Sequence, residues 1–208
     1  MRLTIYYRKG CIKSRFLRVA LKVMDWEVRE LDAADPEAEA EMIQLKTKNG
    51  HGTSAIAPSI YNKEVYSHEL FPMIEYLNER SPEGMYPAEI PLRLFARTLI
   101  RRTLADLSAI WPQYIASGDP QPLLDYYDKE TELFLNLVAN RDSWRVLEQR
   151  PTYVEILFLC LAIEVNYYRP IKNPSLAKWF KELTSDYPSL NPICSEPVVG
   201  YQLSKSSN

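Results

Sequence analysis

The sequence predicts a two-part chain: an α/β unit with the order βαβαββα over residues 1–80, a linker at 81–91, and an all-helical unit over 92–208. Three observations predict it. Short β-prone runs alternate with amphipathic stretches as far as Arg80, three prolines and a glycine fall between Ser81 and Pro91, and the later apolar patterns have helical spacing.

Leu3 to Tyr7 is the first strand, and Arg8-Lys9-Gly10 is a loop. Ser14 to Met24 carries apolar residues at 16, 17, 20, 21 and 24, the spacing of one helical face. Trp26 to Leu31 then alternates apolar with charged residues, as a half-buried strand does. Pro36 to Leu45 follows Asp35 as N-cap with proline at the first helical position. A Gly-rich loop, Asn49 to Thr53, leads into a strand at Ile56 to Ile60. A two-residue turn at Asn62-Lys63 joins it to Glu64–Tyr66 as a hairpin. The last helix of the unit runs from Glu69 to Arg80. With an N-cap at Glu69, Pro72 falls in the first turn, where its missing N–H is harmless. This is the thioredoxin-like order.

Beyond the linker, Leu92 to Trp111 has an apolar stripe at 100, 104, 107 and 111 and is expected to stop at Pro112. Gln121 to Asn140 forms a second helix with Leu123, Leu124, Tyr127, Phe134 and Leu137 for packing. Thr152-Tyr153-Val154-Glu155 opens the most apolar helix with a capping box, in which hydroxyl and carboxylate satisfy each other's backbone N–H groups. Ser175 to Leu183 is a shorter helix, and the tail after it is expected to be irregular.

Composition narrows function. The 208 residues are 46% apolar and 12% aromatic, which excludes disorder. Lys and Arg total 25 against 27 Asp and Glu, so no chain-wide positive field favours direct nucleic-acid binding. Cys11, Cys160 and Cys194, an odd number at wide spacing, fit a reducing compartment, and the first residues lack the apolar stretch of a signal peptide. A cytoplasmic protein without membrane attachment is expected. Only His51 and His68 are present and no cysteines are paired in sequence, so neither a zinc cluster nor a serine-histidine triad has its parts.

Over residues 1 to about 190 the chain resembles the glutathione-transferase superfamily. Ala57-Pro58 sits at the family's cis-proline, Glu69 followed by Met73-Ile74-Glu75-Tyr76-Leu77 matches its acid and helix, and Thr152-x-x-Glu155 falls at its capping box. Within the superfamily the chain is most similar to the stringent starvation protein A family of bacterial regulators. That likeness rests on Cys11-Ile12-Lys13-Ser14 leading into Leu17 to Leu21, on Met73 to Arg80, and on Arg93 to Trp111. It departs in lacking the histidine of that family's Pro-His-Pro element after Arg80, and in a longer loop before Pro58.

The resemblance implies two readings. One is a non-enzymatic transcription regulator without a cofactor. It docks on RNA polymerase and its primary sigma factor through Pro82, Glu83, Tyr86 and Pro87, and it forms a homodimer or pairs with a paralogue. The other is a cysteine-type glutathione transferase or thiol transferase using Cys11 with Ser14, Ala57, Pro58 and Glu69, and glutathione as co-substrate. Cys11 at a helix start beside Lys9, Lys13 and Arg15 has the setting of a reactive thiolate. Tyr7 ends the strand where some transferases keep a catalytic tyrosine. Against catalysis stands the pair Glu69-Leu70. The family's serine at the second position holds the γ-glutamyl carboxylate, and a leucine supplies no hydroxyl. Arg97, Arg101 and Arg102 are candidates for a basic patch, read first as a solvated or interdomain face, and His68 is read as ordinary surface.

Overall fold

The computed structural model describes residues 3–52, 57–138 (backbone alone at 137 and 138), 147 and 150–198. The chain divides into two compact units, Met1–Gly84 and Met85–Asn208.

The first unit holds β1 (Leu3–Tyr7), α1 (Ile12–Val23), β2 (Val28–Asp32), α2 (Pro36–Lys48), β3 (Ser59–Tyr61), β4 (Tyr66–Ser67) and α3 (Leu70–Arg80). The sheet order is β2-β1-β3-β4, with β1 parallel to β2 and antiparallel to β3. Alternation along β1 sends Tyr6 to the α2 face, where it packs with Ala33 and Met42. Leu3, Ile5 and Tyr7 face the other way, toward α1. Several boundaries differ from expectation: β2 runs Val28–Asp32 rather than from Trp26 to Leu31, α2 continues past Leu45 to Lys48, and β3 is Ser59–Tyr61. Helix α1 starts at Ile12 because Cys11, in extended conformation, is its N-cap. The hairpin turn is Lys63-Glu64, one residue later, because the Asn62 side chain accepts from Glu64 N–H and Val65 N–H, both at 2.9 Å, and so becomes the residue before the turn. The expected strand residue Ile56 lies outside the described residues. Asp35 caps α2 through Glu37 N–H at 2.8 Å.

The helical unit holds α4 (Ile90–Ser117), α5 (Gln121–Val138), α6 (Tyr153–Tyr168), α7 (Pro174–Asp186) and α8 (Asn191–Cys194), with a 3₁₀ turn at Pro188–Leu190. The tail expected to be irregular thus carries two helical turns, held by buried Leu190 and Ile193. Helix α4 does not stop at Pro112 but continues to Ser117 and ends at Gly118 in the left-handed conformation. An interior proline costs about 3 kcal/mol. Offsetting it, Tyr114 is fully buried, stacks edge-on against Trp111 at 5.3 Å and hydrogen-bonds Tyr168. The apolar stripe marks the buried face correctly, and proline alone does not end the helix. Helix α6 is apolar all round and buried from Tyr153 to Val165, so it is the centre of the unit. Its capping box forms as expected, with Thr152 N–H on the Glu155 carboxylate at 2.9 Å. Phe158 stacks on Phe134 with centroids 3.8 Å apart, and both meet Trp179 of α7 edge-on.

Candidate functional site

Register brings three segments of the first unit to one end of its sheet. Tyr6 pairs with Ser59, so the end of β1 and the loop to Cys11 lie beside the start of β3, where the Ala57–Pro58 bond is cis. Ile60 pairs with Ser67, so β4 delivers His68, Glu69 and Leu70 to the same end. Helices α1 and α3 therefore both begin there, and neither has a side-chain cap. Uncapped helix starts leave backbone N–H groups and a positive dipole end for an anion.

The side chains at this end are committed unevenly. Cys11 is half-buried and free of any disulfide. Ser14 is 1% exposed and its hydroxyl accepts from Arg8 N–H at 3.1 Å, tying the β1–α1 loop to the helix. Tyr7 is buried, with the Arg18 guanidinium 3.9 Å above its ring and Arg18 held by Glu30 at 2.8 Å. Tyr6, on the opposite face, donates to Glu41 at 2.6 Å, and burial first, then that bond, pushes its phenol well above the usual range. Pro58 is buried and Ala57 packs against the Tyr6–Met42 cluster. Glu69 is exposed as N-cap of α3, and Leu70, its first residue, is 7% exposed. An apolar side chain fills the position where the resemblance requires a hydroxyl. Ser14 is thus engaged by the Arg8 backbone and Tyr7 is covered by Arg18.

Sequence reasoning missed a cluster beside this end. The His51 ring lies 5.2 Å from His68 and 5.6 Å from Tyr66. Burial, then Lys46, then His51 lower the His68 imidazole below its ordinary value, so it stays neutral more readily than a surface histidine. The Gly-rich loop carrying His51 was the only hint, since it returns the chain to the sheet edge. The linker surface changes as well. Pro82 and Glu83 are exposed, but Tyr86 and Pro87 are buried. The Tyr86 ring packs on Tyr153 at 5.0 Å under the Arg97 guanidinium, which removes it from any partner surface. The basic patch dissolves too, because Arg97 covers Tyr86 and Arg102 pairs with buried Glu130. Among the described residues no group of three or more metal-ligating side chains exists, and no helix is long and apolar enough to cross a membrane.

The architecture is the glutathione-transferase fold. A diazinon-metabolizing glutathione S-transferase of the silkworm Bombyx mori superposes with a TM-score of 0.72 at 15% identity, over 93% of this chain and 96% of that one. A second silkworm glutathione transferase, BmGSTD1, gives 0.72 at 14% identity over 98% and 96%. A glutathione S-transferase of the Antarctic clam Laternula elliptica gives 0.67 at 17% over 93% and 92%. No family model and no curated protein sequence matches the chain.

Proposed function

We propose that this chain is a non-enzymatic member of the glutathione-transferase superfamily that acts as a docking regulator, as the stringent starvation protein A family does on RNA polymerase and its primary sigma factor. Leu70 carries the reading: it is buried at the first position of α3, so the ligand carboxylate that this fold receives there meets a methyl group instead of a hydroxyl. A buried polar contact left unmade costs about 1–3 kcal/mol, a loss of roughly tenfold to a hundredfold in affinity. Ser14 and Tyr7 support the same conclusion, since both are engaged elsewhere. The docking surface is the exposed part of the linker, Pro82 and Glu83. Self-association, with itself or a paralogue, is supported by Ile90 and Leu94, one turn apart on α4 and 76% and 67% exposed.

The test pairs two measurements on the full chain. Calorimetry with glutathione is expected to give no binding tighter than about millimolar, and immobilised protein is expected to retain purified RNA polymerase holoenzyme, with Glu83→Lys weakening retention. Glutathione-dependent turnover together with failure to bind the holoenzyme would overturn the reading. A second reading, a thiol transferase, is favoured by one observation: Cys11 is half-exposed at an uncapped helix start. Disulfide reductase activity abolished by Cys11→Ser would support it.

A further inference from the structure

The two histidines of the first unit are brought together by two separately fixed stretches of backbone. His51 follows α2 in a closed turn: Gly50 takes the left-handed conformation, its N–H bonds the Thr47 carbonyl at 3.0 Å, and His51 N–H bonds the Lys46 carbonyl at 3.0 Å. The Thr47 hydroxyl donates to the Gly52 carbonyl at 3.3 Å and ties down the far side of the turn. His68 leaves β4 directly after Ser67, which pairs with Ile60. Buried Tyr66 stands against both rings, 5.6 Å from His51 and 6.1 Å from His68. The result sets the only two histidines of the chain edge-on, with ring centres 5.2 Å apart.

One atom of the pair lacks an explanation. Nδ1 of His68 is buried and finds no hydrogen-bond partner among the described residues, whereas buried polar atoms are ordinarily satisfied. The ring spacing fits a partner of one kind. A zinc-type ion sits about 2.0–2.1 Å from an imidazole nitrogen, which puts each ring centre about 3.2 Å from the ion. Ring centres 5.2 Å apart then subtend about 109° at a shared ion, the tetrahedral angle. His51 is exposed, so its ring can swing to admit the ion. Two charged side chains act on His68 in opposite senses: Lys46, 2% exposed, opposes a cation, and Glu69 attracts one. Glu69 is exposed and makes no side-chain cap bond to α3, so its carboxylate can turn toward the rings.

We propose that His51 and His68 together bind a divalent transition-metal ion of the zinc type, with Glu69 turning in as third ligand and water as the fourth. Imidazole nitrogens select such an ion over magnesium or calcium, which take oxygen ligands.

The test begins with the imidazole proton NMR signals of the full, untagged chain, which come from these two rings alone. An equimolar amount of Zn²⁺ is expected to shift both together, and Mg²⁺ to shift neither. Calorimetry is expected to give a Zn²⁺ dissociation constant of about 10 µM or tighter, weakened about tenfold or more by His51→Ala or His68→Gln and about threefold by Glu69→Gln. The double variant Cys11→Ser, Cys194→Ser is expected to bind as the parent does, which separates this site from capture by a thiolate. The proposal is overturned if saturating Zn²⁺ shifts one ring or neither, if Mg²⁺ shifts both as strongly, if either histidine variant or Glu69→Gln keeps the parent affinity, or if the cysteine variant abolishes binding.

Discussion

Replacing Thr152 by valine keeps the shape of the side chain and deletes only the hydroxyl, which isolates the cap at the start of α6. Thr152 is 1% exposed and Glu155 fully buried, so water is not available to substitute. The hydroxyl accepts from Val154 N–H at 3.2 Å and donates to the Glu155 carboxylate, which also accepts from Thr152 N–H at 2.9 Å and Leu147 N–H at 3.4 Å. Valine leaves Val154 N–H unmet, about 1 kcal/mol for a lost cap, and strips one bond from a buried carboxylate, about 1.5–3 kcal/mol more. The helical unit is therefore expected to lose about 2.5–4 kcal/mol, which at a urea dependence of about 1–3 kcal/mol per molar moves the unfolding midpoint down by about 0.8 M or more. Trp179 reports it, being 2% exposed and packed against Phe134 and Phe158 in the same unit, once Trp26, Trp111 and Trp144 are phenylalanine. Thr152→Ser keeps the hydroxyl and loses a methyl, about 0.8 kcal/mol. A valine midpoint within about 0.2 M of the parent, or serine falling as far as valine, would refute the reasoning.

Pro112→Ala restores a backbone donor inside α4 and is expected to raise the urea midpoint of the helical unit, by up to about 3 kcal/mol in stability. Leu70→Ser is expected to raise glutathione affinity about tenfold without turnover, while weakening the first unit by about 2 kcal/mol or more because a buried leucine is lost; calorimetry and urea unfolding read the two effects separately. His68 titrates below its ordinary value in the folded chain, so the unfolded chain takes up the proton first. Its contribution to stability is full above pH about 6.5 and is lost as pH falls. Urea midpoints between pH about 7.5 and 5.5 are expected to drop less in His68→Gln than in the parent.

What the sequence revealed tracks how local each determinant is. Asp35 before Pro36 and Thr152 with Glu155 are caps set within three residues, and Glu69 marks the N-cap position of α3 without a side-chain bond; each lies where its pattern indicates. The path of α4 through Pro112 depends on Tyr114 meeting Tyr168, 54 residues away, so no local rule reaches it. The residue type of Asn62 favours a place within the turn itself, whereas its side chain closes the turn from the preceding position. At the candidate site, Cys11, Pro58 and Leu70 were legible from order and spacing. The burial of Tyr86, the engagement of Ser14 by a backbone N–H, and the His51–His68 pair arise from tertiary packing and left little trace in the pattern.

Arg18 over Tyr7, latched by Glu30, also bears on how this chain can change over generations. Freeing the phenol by losing Arg18 leaves the Glu30 carboxylate only Lys22, at 4.0 Å, and opens the ring's cover at the same time, while Ser14 cannot turn toward a ligand without releasing the Arg8 backbone. Each of these changes thus removes a support of the first unit before it exposes either hydroxyl. Substitutions that accumulate without harm are therefore expected on the exposed surface of the unit rather than at Tyr7, Ser14 or the residues that hold them.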